Sequence, residues 1–220
     1  MNSFEDGRVL LINKPLHWTS FDAVRKIRNL IRIKKVGHAG TLDPLATGLL
    51  IICTGKFTKK INEYMAKEKE YTGSFTLGAT TPTYDLESEP ENIKSTEGLT
   101  IELIKNAALQ LTGEIMQVPP AHSAIRIDGK RVYELARKGR EVIIEPRKVT
   151  ISEFEIVSVE LPVVHFRIVC STGTYIRSLA NDFGKILGCG AYLSSLCRTR
   201  IGEFELGNAM SIEEFAKTLA

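Results

Sequence analysis

Asp43 is the acid in this chain best placed to do chemistry. It stands in the run Val36-Gly37-His38-Ala39-Gly40-Thr41-Leu42-Asp43-Pro44-Leu45-Ala46-Thr47-Gly48. Glycines there let backbone approach a ligand closely, and Pro44 stiffens the chain beside the carboxylate. A carboxylate on a rigid loop suits a nucleophile or a general base. An Asp among glycines is also a common turn or capping residue, so the pattern alone leaves both roles open. Tyr71 opens an alternating segment and reads equally as a core aromatic. His38 has no second His or Cys at ligand spacing, and no metal site is expected. Arg177 falls near a helix start, slightly unfavourable against the helix dipole, which hints at pairing with an acid.

The elements that would position these residues follow from periodicity and punctuation. A strand is expected over Arg8–Ile12, ended by Asn13-Lys14-Pro15. Thr19 and Ser20 offer an N-cap, with Asp22 completing a capping box. The helix they open carries Phe21, Val24, Ile27, Leu30 and Ile31 on one face. Its other face holds Arg25, Lys26, Arg28 and Arg32, and Lys34 and Lys35 follow without an intervening acid. The stretch 37–48 is too rich in Gly and Pro for a regular element. A buried strand (Leu49–Cys53), a short helix (Phe57–Met65) and a half-buried strand (Tyr71–Leu77) come next. Asp85–Glu97 reads as an exposed acidic loop, and a helix runs from the Thr100 cap to about Thr112, closed by Gly113. Strands are expected over Val149–Val159 and Val163–Cys170, and a helix over Tyr175–Leu187 stopped by Gly188. A short last helix is capped by Ser211 and Glu214. Without a steady βαβ alternation this is an α+β domain around a mainly antiparallel sheet flanked by helices.

Residues 119–148 form a polar insertion with Pro119-Pro120, a turn at Asp128-Gly129 and a short helix ending at Gly139. It holds eight basic and four acidic residues, a local charge of +4 against +3 for the whole chain. The cations are Arg126, Lys130, Arg131, Arg137, Lys138, Arg140, Arg147 and Lys148. With the basic helix this gives two cationic surfaces, which suit a polyanion held from two sides. Length fits one domain, 1–220, able to bury a core without staples. Cys53, Cys170, Cys189 and Cys197 never form a CxxC pair and read as buried reduced thiols. No signal peptide, transit peptide or membrane span is visible, so a cytoplasmic protein is expected.

The run Val36 to Gly48 resembles the catalytic motif of the bacterial tRNA pseudouridine-55 synthases, the TruB family. The resemblance recurs at Asn13-Lys14-Pro15 with Thr19-Ser20, Lys69-Glu70-Tyr71, Gly78 through Asp85, Pro119-Pro120 and Ser123-Ala124. It continues at Tyr133-Glu134-Leu135-Ala136-Arg137, Gly173-Thr174-Tyr175-Ile176-Arg177-Ser178-Leu179, Leu196, Arg198-Thr199-Arg200 and Ile201-Gly202. It implies the pseudouridine synthase fold, with 119–148 as an RNA-binding thumb. It also implies an isomerase that flips uridine 55 out of the tRNA T-loop and exchanges its C–N glycosidic bond for C–C. Asp43 would be the essential carboxylate; its first act is left open among attack on the ribose carbon, attack on the base, and glycal formation. Arg177 would pair with Asp43 and keep it charged. Tyr71 would stack on the extruded uracil, with His38, Tyr175 and Leu196 supporting the site. RNA contacts would come from Lys14, here also shaping the floor of the site, and from Arg126, Lys130, Arg131, Arg137, Lys138 and Arg140.

The reaction is redox-neutral and no cofactor is expected. His17, His122 and His165 receive no role. Two departures from many relatives stand out. His122 and Ile125-Arg126 occupy positions where a Tyr and a Lys are common, and the chain stops at Ala220 with no room for the C-terminal RNA-binding (PUA) domain. The wording Pro44 to Gly48 is that of stand-alone enzymes acting as monomers on the T-arm without guide RNA. The guide-RNA-dependent relative resembles the chain only over the core. The alternative reading is a non-catalytic RNA-binding or tRNA-folding protein on the same domain, which would not need Asp43, Tyr71 and Arg177.

Overall fold

The computed structural model describes residues 3–121 and 144–219, with the strand positions 126, 127, 130 and 131. The chain forms two compact units, Met1–Thr72 with Ser195–Ala220, and Gly73–Ser194.

In the first unit the central strand is β3 (Ala46–Thr54). Strand β1 (Val9–Lys14) runs antiparallel along one edge of it, from Val9↔Cys53 to Lys14↔Gly48. The other edge is shared. Strand β2 (Val36–Ala39) pairs antiparallel with Ile51–Thr54, and the end of β10 (Ala191–Ile201) pairs parallel with Ala46–Gly48. Leu50 and Ile52 of β3 face a core with Ile12, Val24, Ile27, Ile31 and Phe215, whereas Leu49, Ile51 and Cys53 pack with Ala39, Ile201 and Phe57. Apolar cover on both faces explains the unbroken hydrophobic run. Helix α2 (Ser20–Ile31), second after the short α1 (Ser3–Asp6), has the expected capping box between Thr19 and Asp22. Its buried stripe is Ser20, Ala23, Val24, Ile27 and Ile31; Phe21, expected inside, is 59% exposed because it falls one position off that spacing.

Two expectations for this unit change. Strand β1 continues through Asn13 and Lys14, and the break comes only at Pro15, which lacks the N–H for a further rung. The glycine-rich run is irregular only over 40–45, since β2 and β3 claim its ends. Gly48 shows why glycine can sit inside a strand here. Its φ is +101°, and a Cβ would stand 2.4 Å from the Arg198 carbonyl oxygen.

The second unit has strand order β10–β4–β9–β8–β5, with β4 (Lys69–Leu77), β5 (Gly113–Gln117), β8 (Arg147–Glu160) and β9 (Val163–Cys170). Phe75 of β4 packs on Phe166 and Phe183 at centroid distances of 4.3 and 5.5 Å. The helix Ile101–Gln110 is capped by Thr100, and the helix Ile176–Leu187 ends on left-handed Gly188. Gly113, expected to close a helix, opens β5 instead, with partners from Gly113↔Ile151 to Gln117↔Arg147. That strand and β10 were not foreseen. Arg147 and Lys148 consequently belong to the sheet. Asp85, expected in an exposed loop, is 3% exposed.

Within the insertion, β6 (Arg126–Ile127) pairs antiparallel with β7 (Lys130–Arg131). The Asp128-Gly129 turn, the helix ending at Gly139, and Arg137, Lys138 and Arg140 lie outside the described residues. Strand pairs β1–β3, β2–β3, β5–β8 and β8–β9 are antiparallel and β3–β10 is parallel, giving the expected α+β architecture of a mainly antiparallel mixed sheet flanked by helices. Among the described residues no helix is long and apolar enough to cross a membrane. All four cysteines are free; burial pushes the Cys53 thiol up to about 11.

Candidate active site

The loop carrying Asp43 is held from below, residue by residue. Ser20, at the start of α2, both accepts from the Leu42 N–H at 2.8 Å and donates to the Leu42 carbonyl at 3.1 Å. Arg198, only 1% exposed, donates through Nη2 to the Gly40 carbonyl at 3.1 Å and through Nε to the Leu49 carbonyl at 2.8 Å. A longer contact of 3.5 Å joins its Nη1 to the Thr41 carbonyl. The Asp43 carbonyl accepts from the Ala46 N–H at 3.0 Å, and that of Pro44 from the His17 N–H at 2.8 Å. Backbone at 40–44 is thus fixed by partners on four sides, and Asp43 itself is half-buried.

Lys14, expected among the RNA contacts, has 0% exposed surface and donates to the carbonyls of Pro15 at 2.9 Å and Trp18 at 2.5 Å. Burial pulls its ammonium down to about 8; Asp43 opposes that pull and Arg198 adds to it. It is therefore a cation under the loop, within electrostatic reach of Asp43. His38, on β2, is lowered by burial, with the Gly40 backbone hydrogen bond opposing and Arg198 reinforcing. A neutral imidazole at pH 7 follows. Leu196 pairs with Ala46, three residues beyond Asp43. Tyr71 is buried on β4, next to Glu70, whose carboxylate accepts from Thr199 of β10 at 2.7 Å.

In the second unit the Arg177 guanidinium is buried against Asp85, Nη1 to Oδ2 3.6 Å, and lies 3.4 Å from the Thr83 carbonyl. The sequence reading missed Asp85 as a partner because its neighbours are acidic and exposed. Tyr175 precedes the helix without a side-chain cap. Its N–H and carbonyl are instead gripped by the fully buried Gln117 amide, at 2.8 and 3.1 Å. Arg147 stacks its guanidinium 4.8 Å from the Tyr175 ring centroid and donates to the Gly173 carbonyl. Ser20 and Arg198 lay within the resembling stretches without a role of their own, and Gln117 lay outside them; the long-range contacts show what each of them holds. Among the described residues, no group of three or more His, Cys, Asp or Glu side chains is gathered for a metal ion.

The architecture has solved counterparts. A Cbf5–Nop10–Gar1 complex aligns with a TM-score of 0.75 at 27% identity, and an H/ACA RNP bound to a substrate RNA containing 2′-deoxyuridine aligns at 0.72 and 26%. Each alignment covers 97% of this chain but only 54% and 53% of the solved one, so the chain spans about half their length. The fold is that of the pseudouridine synthases, which are isomerases. In sequence, residues 28–176 match the TruB family pseudouridylate synthase N-terminal domain, and 177–220 the tRNA pseudouridylate synthase B C-terminal domain. The tRNA pseudouridine synthase B of Flavobacterium johnsoniae is 55% identical, with 97% of this chain and 96% of the relative covered. That of Parabacteroides distasonis is 51% identical over 96% and 92%. The chain belongs to the TruB family of pseudouridylate synthases.

Proposed function

We propose that this chain converts uridine 55 in the T-loop of tRNA to pseudouridine, with Asp43 as the catalytic carboxylate. The observation that carries the reading is the immobilised Asp43 loop: the backbone on both sides of one half-buried carboxylate is tied down by Arg198, Ser20 and His17. Fixing a reactive group is the main lever available when no cofactor supplies the chemistry. The 55% identity to a tRNA pseudouridine synthase B supports tRNA as the RNA.

In this reading the target uridine is flipped out of its stack, Tyr71 grips the uracil, and His38, Tyr175 and Leu196 shape its surroundings. The family resemblance assigns Arg177 as counter-ion of Asp43. The basic insertion 119–148 serves as the thumb on the T-arm, with Arg126, Lys130, Arg131, Arg137, Lys138 and Arg140 facing phosphates. The enzyme works alone, without guide RNA, in the cytoplasm.

Tritium release from tRNA transcripts labelled at uracil C5 tests this directly. The purified chain releases tritium without guide RNA, and a transcript with position 55 replaced is inert. Asp43→Asn abolishes release while retaining RNA binding; turnover surviving that change would falsify the assignment. Charge reversal at Arg131 and Arg137 raises KM and flattens its salt dependence.

A further inference from the structure

Between β1 and α2 the chain turns through His17, whose φ of 64° is left-handed, and Trp18. A pocket of about 320 Å³ opens there, lined by His17, Trp18, Asp22, Arg25, Lys26 and Asn29. It shares its support with the catalytic loop. The Trp18 carbonyl takes the Lys14 ammonium, and the His17 N–H holds Pro44. The pocket and the Trp18 ring had no part in the functional reading above.

We propose that the pocket seats an unstacked nucleotide of the substrate RNA next to the target, with its base on the Trp18 indole and its phosphate at Lys26. The inference rests on the proposed action on RNA, and it deepens that reading by naming a second contact.

Three observations carry it. Trp18 is the chain's single tryptophan; it packs against the adjoining core and still stays only half-buried, with part of its surface open to the pocket. The side chains of Lys26 and Asn29 and the His17 imidazole make no hydrogen bond or ion pair with the described residues. Donors are thus available beside an aromatic surface. The one acid in the wall, Asp22, is already engaged: its carboxylate accepts from Thr19 N–H and O–H at 3.0 and 2.5 Å and from Arg25 at 2.8 Å. It therefore offsets Arg25 and leaves Lys26 uncompensated. Arg28, Arg32, Lys34 and Lys35 follow in the chain with no acid among them, so the surroundings of the pocket stay cationic. Cations beside an aromatic ring are the combination that holds single-stranded nucleic acid: stacking for the base, charge for the backbone. The volume is at the small end for ligand pockets, which suits one base.

The lone tryptophan also reports on the idea. Titrating the chain, in its Asp43→Asn form to prevent turnover, with a T-arm stem-loop RNA should quench the indole emission and shield it from acrylamide. Lys26→Ala should weaken the midpoint about threefold and flatten its salt slope. In the active enzyme Trp18→Ala should raise KM about tenfold, equivalent to ~1.4 kcal/mol, with kcat little changed and Trp18→Phe close to wild type. RNA retained on a filter with no change in emission or shielding overturns the proposal. So does a Trp18→Phe enzyme as impaired as Trp18→Ala, or an unchanged midpoint in Lys26→Ala. Quenching without tritium release would leave the pocket standing and remove the catalytic reading; release without quenching would do the reverse.

Discussion

Replacing Arg198 by Met withdraws one side chain from three carbonyls around the Asp43 loop. The bonds to Leu49 at 2.8 Å and Gly40 at 3.1 Å are well formed, whereas the 3.5 Å contact to Thr41 adds little. With Arg198 at 1% exposure, water cannot take its place unless the loop opens. Two buried acceptors left unmet cost about 1–3 kcal/mol each. The loss is then about 2–6 kcal/mol, against a typical stability of about 5–15 kcal/mol. Relief of the repulsion between Arg198 and Lys14 returns a small part of it. The kinetic effect should be separate. Asp43 loses its support on the Gly40 side, and a displacement of about 1 Å in a reacting group costs roughly 100-fold. Steady-state tritium release on T-arm RNA, run where circular dichroism shows the variant folded, should therefore give kcat lower by about 100-fold and KM near wild type. Arg198→Lys, a cation without the guanidinium fork, should fall between. A folded Arg198→Met enzyme with wild-type kcat would refute the argument that this residue positions the loop.

Lys14 and Asp85 give independent tests. Because the folded chain holds Lys14 near 8 and an unfolded one near 10.5, the folded state binds fewer protons between those values. Its ionisation therefore adds stability as pH rises through that window and removes it as pH falls toward 8. Urea unfolding across pH 7.5–10 should show that slope in the wild type and lose it in Lys14→Met; equal slopes would place the lysine in water. Asp85→Ala leaves the buried Arg177 guanidinium without the carboxylate 3.6 Å away. Breaking such a pair costs about 3–5 kcal/mol, read as a lower urea midpoint; a loss no larger than a surface ion pair would show that other partners hold Arg177.

Much of the scaffold could be read from local chemistry. The capping boxes at Thr19–Asp22 and Ser211–Glu214 and the left-handed stop at Gly188 lie where their residues place them, because each is settled within a few positions of chain. Strand β10 was invisible for the opposite reason. Its Ser194, Ser195, Arg198 and Thr199 look like a surface segment, and the strand joins the sheet through β4 and through Ala46–Gly48, both more than 100 residues away in sequence. The same holds for the candidate site. The motif singles out Asp43 and Tyr71 as candidates, but what secures the loop is a buried arginine whose acceptors are backbone oxygens, and such acceptors leave no trace in residue type. Asp85 was misplaced because burial of one acid among exposed ones follows from the partner it meets.

The rung Gln117↔Arg147 brackets the basic insertion: the chain departs just after one residue and returns at the other. Both also grip Tyr175, one through its backbone and one through its ring and the Gly173 carbonyl before it. The two ends of the insertion therefore rest on the very pair that aims the first turn of the helix bearing Arg177. Any displacement of that rung is relayed by two side chains to the turn, so the footing of the insertion and the setting of the guanidinium are one piece of structure.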